Sequence, residues 1–276
     1  MASTRKPPRG RPQDLPAVRE RVNKRIRPAS KLPKRFRALI YGKSGVGKTR
    51  LVSTMDKVLL IDVNEEGTDS VRNDFDPDVY RVYFWSQVND VYWYLQDGDH
   101  PYDAVALDGL TGLQDLCMKY VLGDEASRDA SRDPDMPSRA VWGKVGELMK
   151  TQIINFRNLP MHVIFTATER KRATGEETDE PIEVYTSPAL SPAIAGAAER
   201  AVGMIGYMQK RNVVVNEKGG KKRRVTRTRL HVGSSETFAT KDRYFIGAEY
   251  VDSPHLGNLV NEIYGGNSAE STSEAD

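Results

Sequence analysis

Cysteine is nearly absent. With Cys117 alone among 276 residues, no intrachain disulfide can form, and a reducing compartment such as the cytoplasm suits the chain. No stretch approaches the run of about 18 apolar residues that a membrane-crossing helix needs. The first residues also lack the apolar core of a secretory signal, so no membrane partner is expected. The four histidines, His100, His162, His231 and His255, are scattered and have one cysteine to work with, which excludes the spacing of a structural zinc site. Acidic residues are scarce in one place. Residues 1–37 hold 13 of the 41 Lys and Arg against 2 of the 38 Asp and Glu, leaving 28 basic and 36 acidic residues downstream. The net charge of +3 therefore hides a basic arm on an acidic globule, a pattern that goes with a nucleic-acid partner.

Present instead is Gly42-Lys43-Ser44-Gly45-Val46-Gly47-Lys48-Thr49, which fits G-x-x-x-x-G-K-[ST] at every fixed position. A strand-like segment, Phe36 to Tyr41, precedes it, and Arg50-Leu51-Val52 opens a helix after it. Strand, glycine loop and helix together wrap backbone N–H groups around phosphates. In that setting Lys48 reaches the β- and γ-phosphates and the Thr49 hydroxyl holds Mg²⁺. The expected ligand is ATP with Mg²⁺, contacted by Gly42 through Arg50.

Along the chain, residues 1–33 are rich in Pro, Arg and Lys and read as a disordered basic arm, with Leu15 to Ile26 able to form a short helix. Residues 34–264 read as one domain and 265–276 as an acidic disordered tail. Val58-Leu59-Leu60-Ile61-Asp62 and Ala104-Val105-Ala106-Leu107-Asp108 are unbroken apolar runs ending in an acid, as strands buried on both faces read. Met161 to Phe165 is a further strand. Helices are expected around Val88–Leu95, after Asp108, from Val141 to Ile153 and from Ala193 to Ala201. Residues 123–139 read as a polar excursion, and Arg170 to Pro188 as a loop or an exposed hairpin. Val202 to Met208 and Val213-Val214-Val215 read as strands, Glu217-Lys218-Gly219-Gly220 as a hairpin turn, and Val225 to Val232 as the returning partner strand. Trp85 and Trp93 are read as core residues. The order predicts an α/β fold: a mainly parallel sheet flanked by helices, extended by an antiparallel hairpin.

Ligands bind at the carboxyl ends of such strands. The glycine loop, Asp62 to Glu66, Asp108 and Thr166 to Glu169 all fall there. Asp108 stands where a strand-ending acid holds the metal through water or through Thr49. Glu65 or Glu66 could orient or deprotonate an attacking water, and Thr168 or Thr166 could sense the γ-phosphate. Lys241 and Arg243, spaced by one residue on a strand or strand end, point the same way and could project into a neighbouring subunit's nucleotide.

In four segments, Gly42 to Thr49, Val58 to Gly67, Val105 to Asp108 and Lys241-Asp242-Arg243, the chain resembles RecA-like NTPases. It is most similar to small phage-encoded ATP-binding proteins with a single RecA/RadA-type core, over roughly residues 36–250. The resemblance implies Glu65 as catalytic glutamate and Lys241 and Arg243 as fingers acting in trans. Where the family carries glutamine after the fourth strand, this chain has Thr168. It also implies a DNA-stimulated ATP hydrolase acting on single-stranded DNA in phage recombination or annealing, in the cytoplasm of a bacterial host. The partners would be further copies of the chain, in a ring or filament, and a single-strand-binding protein. A replicative helicase or its loader, and a nucleotide-switch or packaging ATPase with a protein partner, are the alternatives.

Overall fold

The computed structural model describes residues 14–63, 67–128, 136–174, 183–216 and 222–265. The chain divides into two units, Met1–Lys34 and Arg35–Asp276. In the described part of the first lies helix α1 (Leu15–Asn23), inside the segment where a helix was expected. Asp14 caps it by accepting the Ala17 N–H at 3.0 Å, and a proline sits in its first turn, where no donor is missed. None of its residues is buried, so no hydrophobic face stabilises it.

The second unit runs β1 (Arg37–Gly42), α2 (Lys48–Val52), β2 (Val58–Asp62), β3 (Asp78–Arg81), α3 (Ser86–Asp97), β4 (Ala104–Asp108), α4 (Leu110–Arg128) and α5 (Arg139–Asn158). It continues with β5 (His162–Thr174), β6 (Glu183–Pro188), α6 (Pro192–Ala201), β7 (Met204–Asn216), β8 (Lys222–His231), β9 (Lys241–Asp242), β10 (Tyr250–Asp252) and α7 (Leu256–Gly265). The sheet order is β10-β8-β7-β1-β5-β4-β2-β3, with β6 added to β5 and β9 to β7. Neighbours from β7 to β3 are parallel, and β10, β8, β9 and β6 pair antiparallel. The expected fold class is thus the observed one.

Period-two alternation explains why the central strands are apolar throughout. Leu39 and Tyr41 of β1 join a core with α3, α4, α5 and α6, where Leu95, Leu113, Val145, Phe156 and Ile194 are buried. Ala38 and Ile40 join the opposite core with Leu51 of α2 and Leu256 and Leu259 of α7. Each fully buried side chain of this size contributes about 1.5–3 kcal/mol. Serine at position 138 starts α5 by accepting the Val141 N–H at 3.3 Å.

Two expectations change and a third is decided between its alternatives. Trp85 is core, but Trp93 is 65% exposed: α3 buries Val88, Val91 and Leu95, and Trp93 lies off that stripe. The first part of the polar excursion is helical, because α4 continues through Arg128, while residues 129–135 lie outside the described set. Of the two readings for Arg170 to Pro188, the hairpin holds: β5 runs on past the parallel sheet and pairs with β6 from Glu169↔Pro188 to Thr174↔Glu183. The expected turn at 217–220 also lies outside the described residues. The strand that follows, β8, pairs with β7 from Tyr207↔His231 to Asn216↔Lys222. Since Met208 is the partner of Gly42, the β7 continuation Gln209–Asn216 projects roughly 25 Å beyond the loop end of the sheet.

Candidate functional site

β1 delivers the chain to the glycine loop at the carboxyl end of the sheet. A Cβ on Gly42 would stand 2.3 Å from the Met208 carbonyl oxygen, so only glycine lets β7 lie this close. Gly45 (φ 72°) and Gly47 (φ 107°) take left-handed backbone that a side chain would resist. The loop then turns into α2, whose first residue, Lys48, is buried. The Lys48 ammonium donates to the carbonyls of Gly42 (3.2 Å) and Lys43 (3.3 Å), which places the charge inside the loop.

Asp108 is the hub. Its carboxylate is 1% exposed and takes two short hydrogen bonds, from Thr49 Oγ1 to Oδ2 and from Thr166 Oγ1 to Oδ1, both 2.6 Å. The Gly109 N–H donates to Thr166 Oγ1 at 2.9 Å, closing the chain. The topology makes this possible. β5 lies between β1 and β4, so Thr166 fills the gap between the loop strand and the Asp108 strand. Hydrogen bonds to a carboxylate are short and strong, and burial sharpens them. The hydroxyl of Thr49 beside a fixed carboxylate is a hard-oxygen set that suits Mg²⁺, and the N–H-rich loop suits phosphate, so the residues present fit both groups.

Thr168 stands one step further out. Its N–H and its hydroxyl both meet Thr111 Oγ1 at 3.1 Å, so Thr111, which sequence reasoning passed over, fixes the candidate sensor. The Glu169 Oε2 accepts from the Tyr207 hydroxyl at 3.1 Å. Glu65 and Glu66 lie outside the described residues. The residues that flank them are at the site: Val63 N–H donates to the Asp108 carbonyl at 3.2 Å, and Gly67 abuts Thr49. A Cβ on Gly67 would stand 2.6 Å from Thr49 Oγ1. Gly67→Ala should therefore push the Thr49 hydroxyl off its position and raise the Mg²⁺ concentration for half-maximal turnover by about tenfold, as read from magnesium titration of activity, while nucleotide binding without metal changes little.

The loop forms one wall of a cleft of about 720 Å³. Arg50 lies on its rim, ion-paired with Asp74 and stacked 5.1 Å over the Phe75 ring. The far wall comes from Lys210 and Thr228 of the β7–β8 hairpin and from Ser253 to His255 before α7. Lys210 Nζ donates to the Gly45 carbonyl at 2.8 Å. No local pattern announces these residues, because they reach the loop only through the sheet.

Lys241 and Arg243 are not brought to the chain's own loop. Lys241 pairs with Ile205, itself the partner of Leu39, so β9 lies toward the opposite end of the strands. The two cations are also not equivalent. The Lys241 ammonium donates to the carbonyls of Val202 (2.7 Å) and Glu199 at the end of α6, where a cation complements the helix terminus. Burial, and then Arg243, pull its pKa down. Lys241 is thus committed within its own chain, and any contact with a neighbour's nucleotide falls to the exposed Arg243.

This fold and site define a P-loop NTPase. The family described as AAA domain matches residues 34–244, and the chain belongs to that family. The flagellar accessory protein FlaH from Methanocaldococcus jannaschii is similar in structure at a TM-score of 0.31 and 9% identity, over 72% of this chain and 78% of that one. None of the curated proteins matches the chain. Among the described residues, no helix is long and apolar enough to cross a membrane.

Proposed function

We propose that the chain is an ATP hydrolase stimulated by single-stranded DNA, which assembles as a RecA-like homo-oligomer for phage recombination or annealing in the cytoplasm of a bacterial host. One observation carries this reading: the Lys48–Thr49–Asp108–Thr166 constellation lies at the sheet end from which two cationic hairpins project. The β5–β6 hairpin carries Arg170, Lys171 and Arg172, and the β7–β8 hairpin carries Arg211, Arg223, Arg224 and Arg227. Arg211 and Arg227 stand directly opposite in register. Like charges so placed are destabilising by themselves, and the phosphates of a nucleic acid would relieve them. The basic arm of residues 1–33 adds charge of the same sign.

In hydrolysis, Lys48 neutralises charge developing on the transferred phosphoryl group, and the loop N–H groups hold the phosphates in place. Asp108 fixes the Thr49 hydroxyl, and together they would hold Mg²⁺, which would supply further positive charge to the phosphoryl group. Glu65 orients the attacking water, and Thr168, held by Thr111, meets the γ-phosphate.

The test is an ATPase assay with and without single-stranded oligonucleotide across a salt series. Turnover should rise with DNA, and DNA affinity should fall steeply with salt as counterions are released. Turnover indifferent to DNA would instead support a nucleotide switch with a protein partner, and strand displacement would support a helicase. A mixing experiment tests the shared site. Lys48→Ala protein has an intact Arg243 but a dead loop, and Arg243→Ala protein has the reverse. Together they should regain activity that neither shows alone, whereas full activity of Arg243→Ala by itself would overturn trans action.

A further inference from the structure

Phe245 is 90% exposed, more than any other large hydrophobic side chain among the described residues. Its backbone stands at φ 56°, in the left-handed region that a bulky residue rarely adopts. Everything around it is tied down. Asp242 Oδ1 accepts the Tyr244 N–H at 2.8 Å, and its Oδ2 accepts the Ile246 N–H at 2.7 Å. The Arg243 N–H donates to the Gly203 carbonyl at 2.9 Å. The Tyr244 hydroxyl accepts the Arg37 N–H at 2.8 Å, and its ring lies 5.1 Å from that of Phe36. Ile246 packs on the core that contains Phe36 and Leu256. The loop is a rigid turn that sends its neighbours inward and one aromatic ring outward, on a backbone held under strain. A preorganised exposed aromatic of this kind is suited to anchor an interface.

The opposite edge of the sheet carries a cleft of about 330 Å³, with Met55, Phe75, Pro77 and Pro101 as apolar walls and Asp76 and Asp78 as acids. Lys57 also lines it and is paired with Asp103 at 3.4 Å. Loop and cleft are at the same end of the strands. β9 lies beside Met204 and Ile205 at the start of β7, and the cleft touches Val58, Asp78 and Tyr102, at or just before the starts of β2, β3 and β4. A projection on one edge and a receptor at the same level on the other make a heterologous contact, which repeats from copy to copy as a ring or filament. The charges match as well, since Arg243 flanks the ring and two acids line the receptor.

We propose that Phe245 inserts into this cleft on the next copy of the chain. Phe75 walls both this cleft and the nucleotide cleft, so the inserted ring carries Arg243 to the flank of the neighbour's nucleotide site. The inference rests on the reading that assembled copies share nucleotide sites, and it names the contact that joins them.

Light scattering of the full chain with a non-hydrolysable ATP analogue and a single-stranded oligonucleotide tests it. Phe245→Ser should raise the protein concentration needed for assembly at least tenfold. Phe245→Gly should do the same while raising the melting temperature, because glycine relieves the left-handed strain. A chain carrying both Phe245→Cys and Pro77→Cys should give a ladder of disulfide-linked multimers under mild oxidation, the buried Cys117 staying out of reaction. Assembly of Phe245→Ser at the wild-type concentration overturns the anchor, as does the absence of a ladder in a double variant that assembles; in both cases the shared-site reading survives through another face. A wild-type chain that stays monomeric at every concentration overturns both.

Discussion

Lys48→Ala should lower ATP turnover by about 10²–10³-fold and weaken nucleotide binding as well. Lys48 is 6% exposed, and its ammonium is enclosed by the loop it serves, donating to the carbonyls of Gly42 and Lys43. Alanine removes the buried cation that the phosphate loop encloses. It also leaves two carbonyls that point at the vacated volume, so the loop loses both charge and shape. The fold should survive, because the strand register that holds the loop, Ala38 to Gly42 against Met204 to Met208, does not involve this side chain. Steady-state hydrolysis and binding of a fluorescent ATP analogue, with the melting temperature as control, check this. Wild-type turnover in the variant would remove the loop from the mechanism.

Asp108→Asn should bind nucleotide nearly as the wild type does, yet lose about 10²-fold or more in turnover and need more Mg²⁺. The carboxylate receives both the Thr49 and the Thr166 hydroxyl at 2.6 Å. Asparagine keeps the shape and one acceptor but presents an amide donor to one of those hydroxyls and carries no charge for a metal-bound water. The effect should lie in kcat, because what is lost is charge placed for the transition state. Asp108→Ala separates chemistry from stability. It leaves the buried Thr166 hydroxyl without its acceptor, at a cost of about 1–3 kcal/mol, and frees the half-buried Thr49 hydroxyl at the cleft, so it should also lower the melting temperature, which asparagine should not. Equal melting of the alanine variant and the wild type would show that the three-residue network does not support the fold.

Particular residues show what could be read without the structure. The loop from Gly42 to Thr49 was legible because its spacing encodes backbone geometry directly: glycine at positions 45 and 47 meets positive φ, and the lysine follows where α2 begins. The strands that end in Asp62 and Asp108 were legible because burial on both faces leaves an unbroken apolar run. Thr166 was harder. Its contact with Asp108 depends on β5 lying between β1 and β4, and strand order is set by the packing of whole helices rather than by local pattern. Trp93 misled because aromatic character alone does not say which side of α3 faces the core.

The phosphate loop, the acid-ended strands, the switch from parallel units to hairpins and the charge asymmetry of the arm are all written in the order of residues along the chain. Each is written in nearest-neighbour chemistry, in glycine freedom, period-two burial and the sign of successive side chains. Which distant groups meet follows from the folded arrangement instead. It set Thr49 and Thr166 on one carboxylate and folded the β7–β8 hairpin so that Lys210 touches the loop at Gly45. It also turned the Lys241 ammonium onto α6, leaving Arg243 and Phe245 facing outward. The physical reason is that a side chain's partner across 59 or 165 positions follows from sheet order and register, which the combined burial of both helix layers fixes and no local stretch of sequence records.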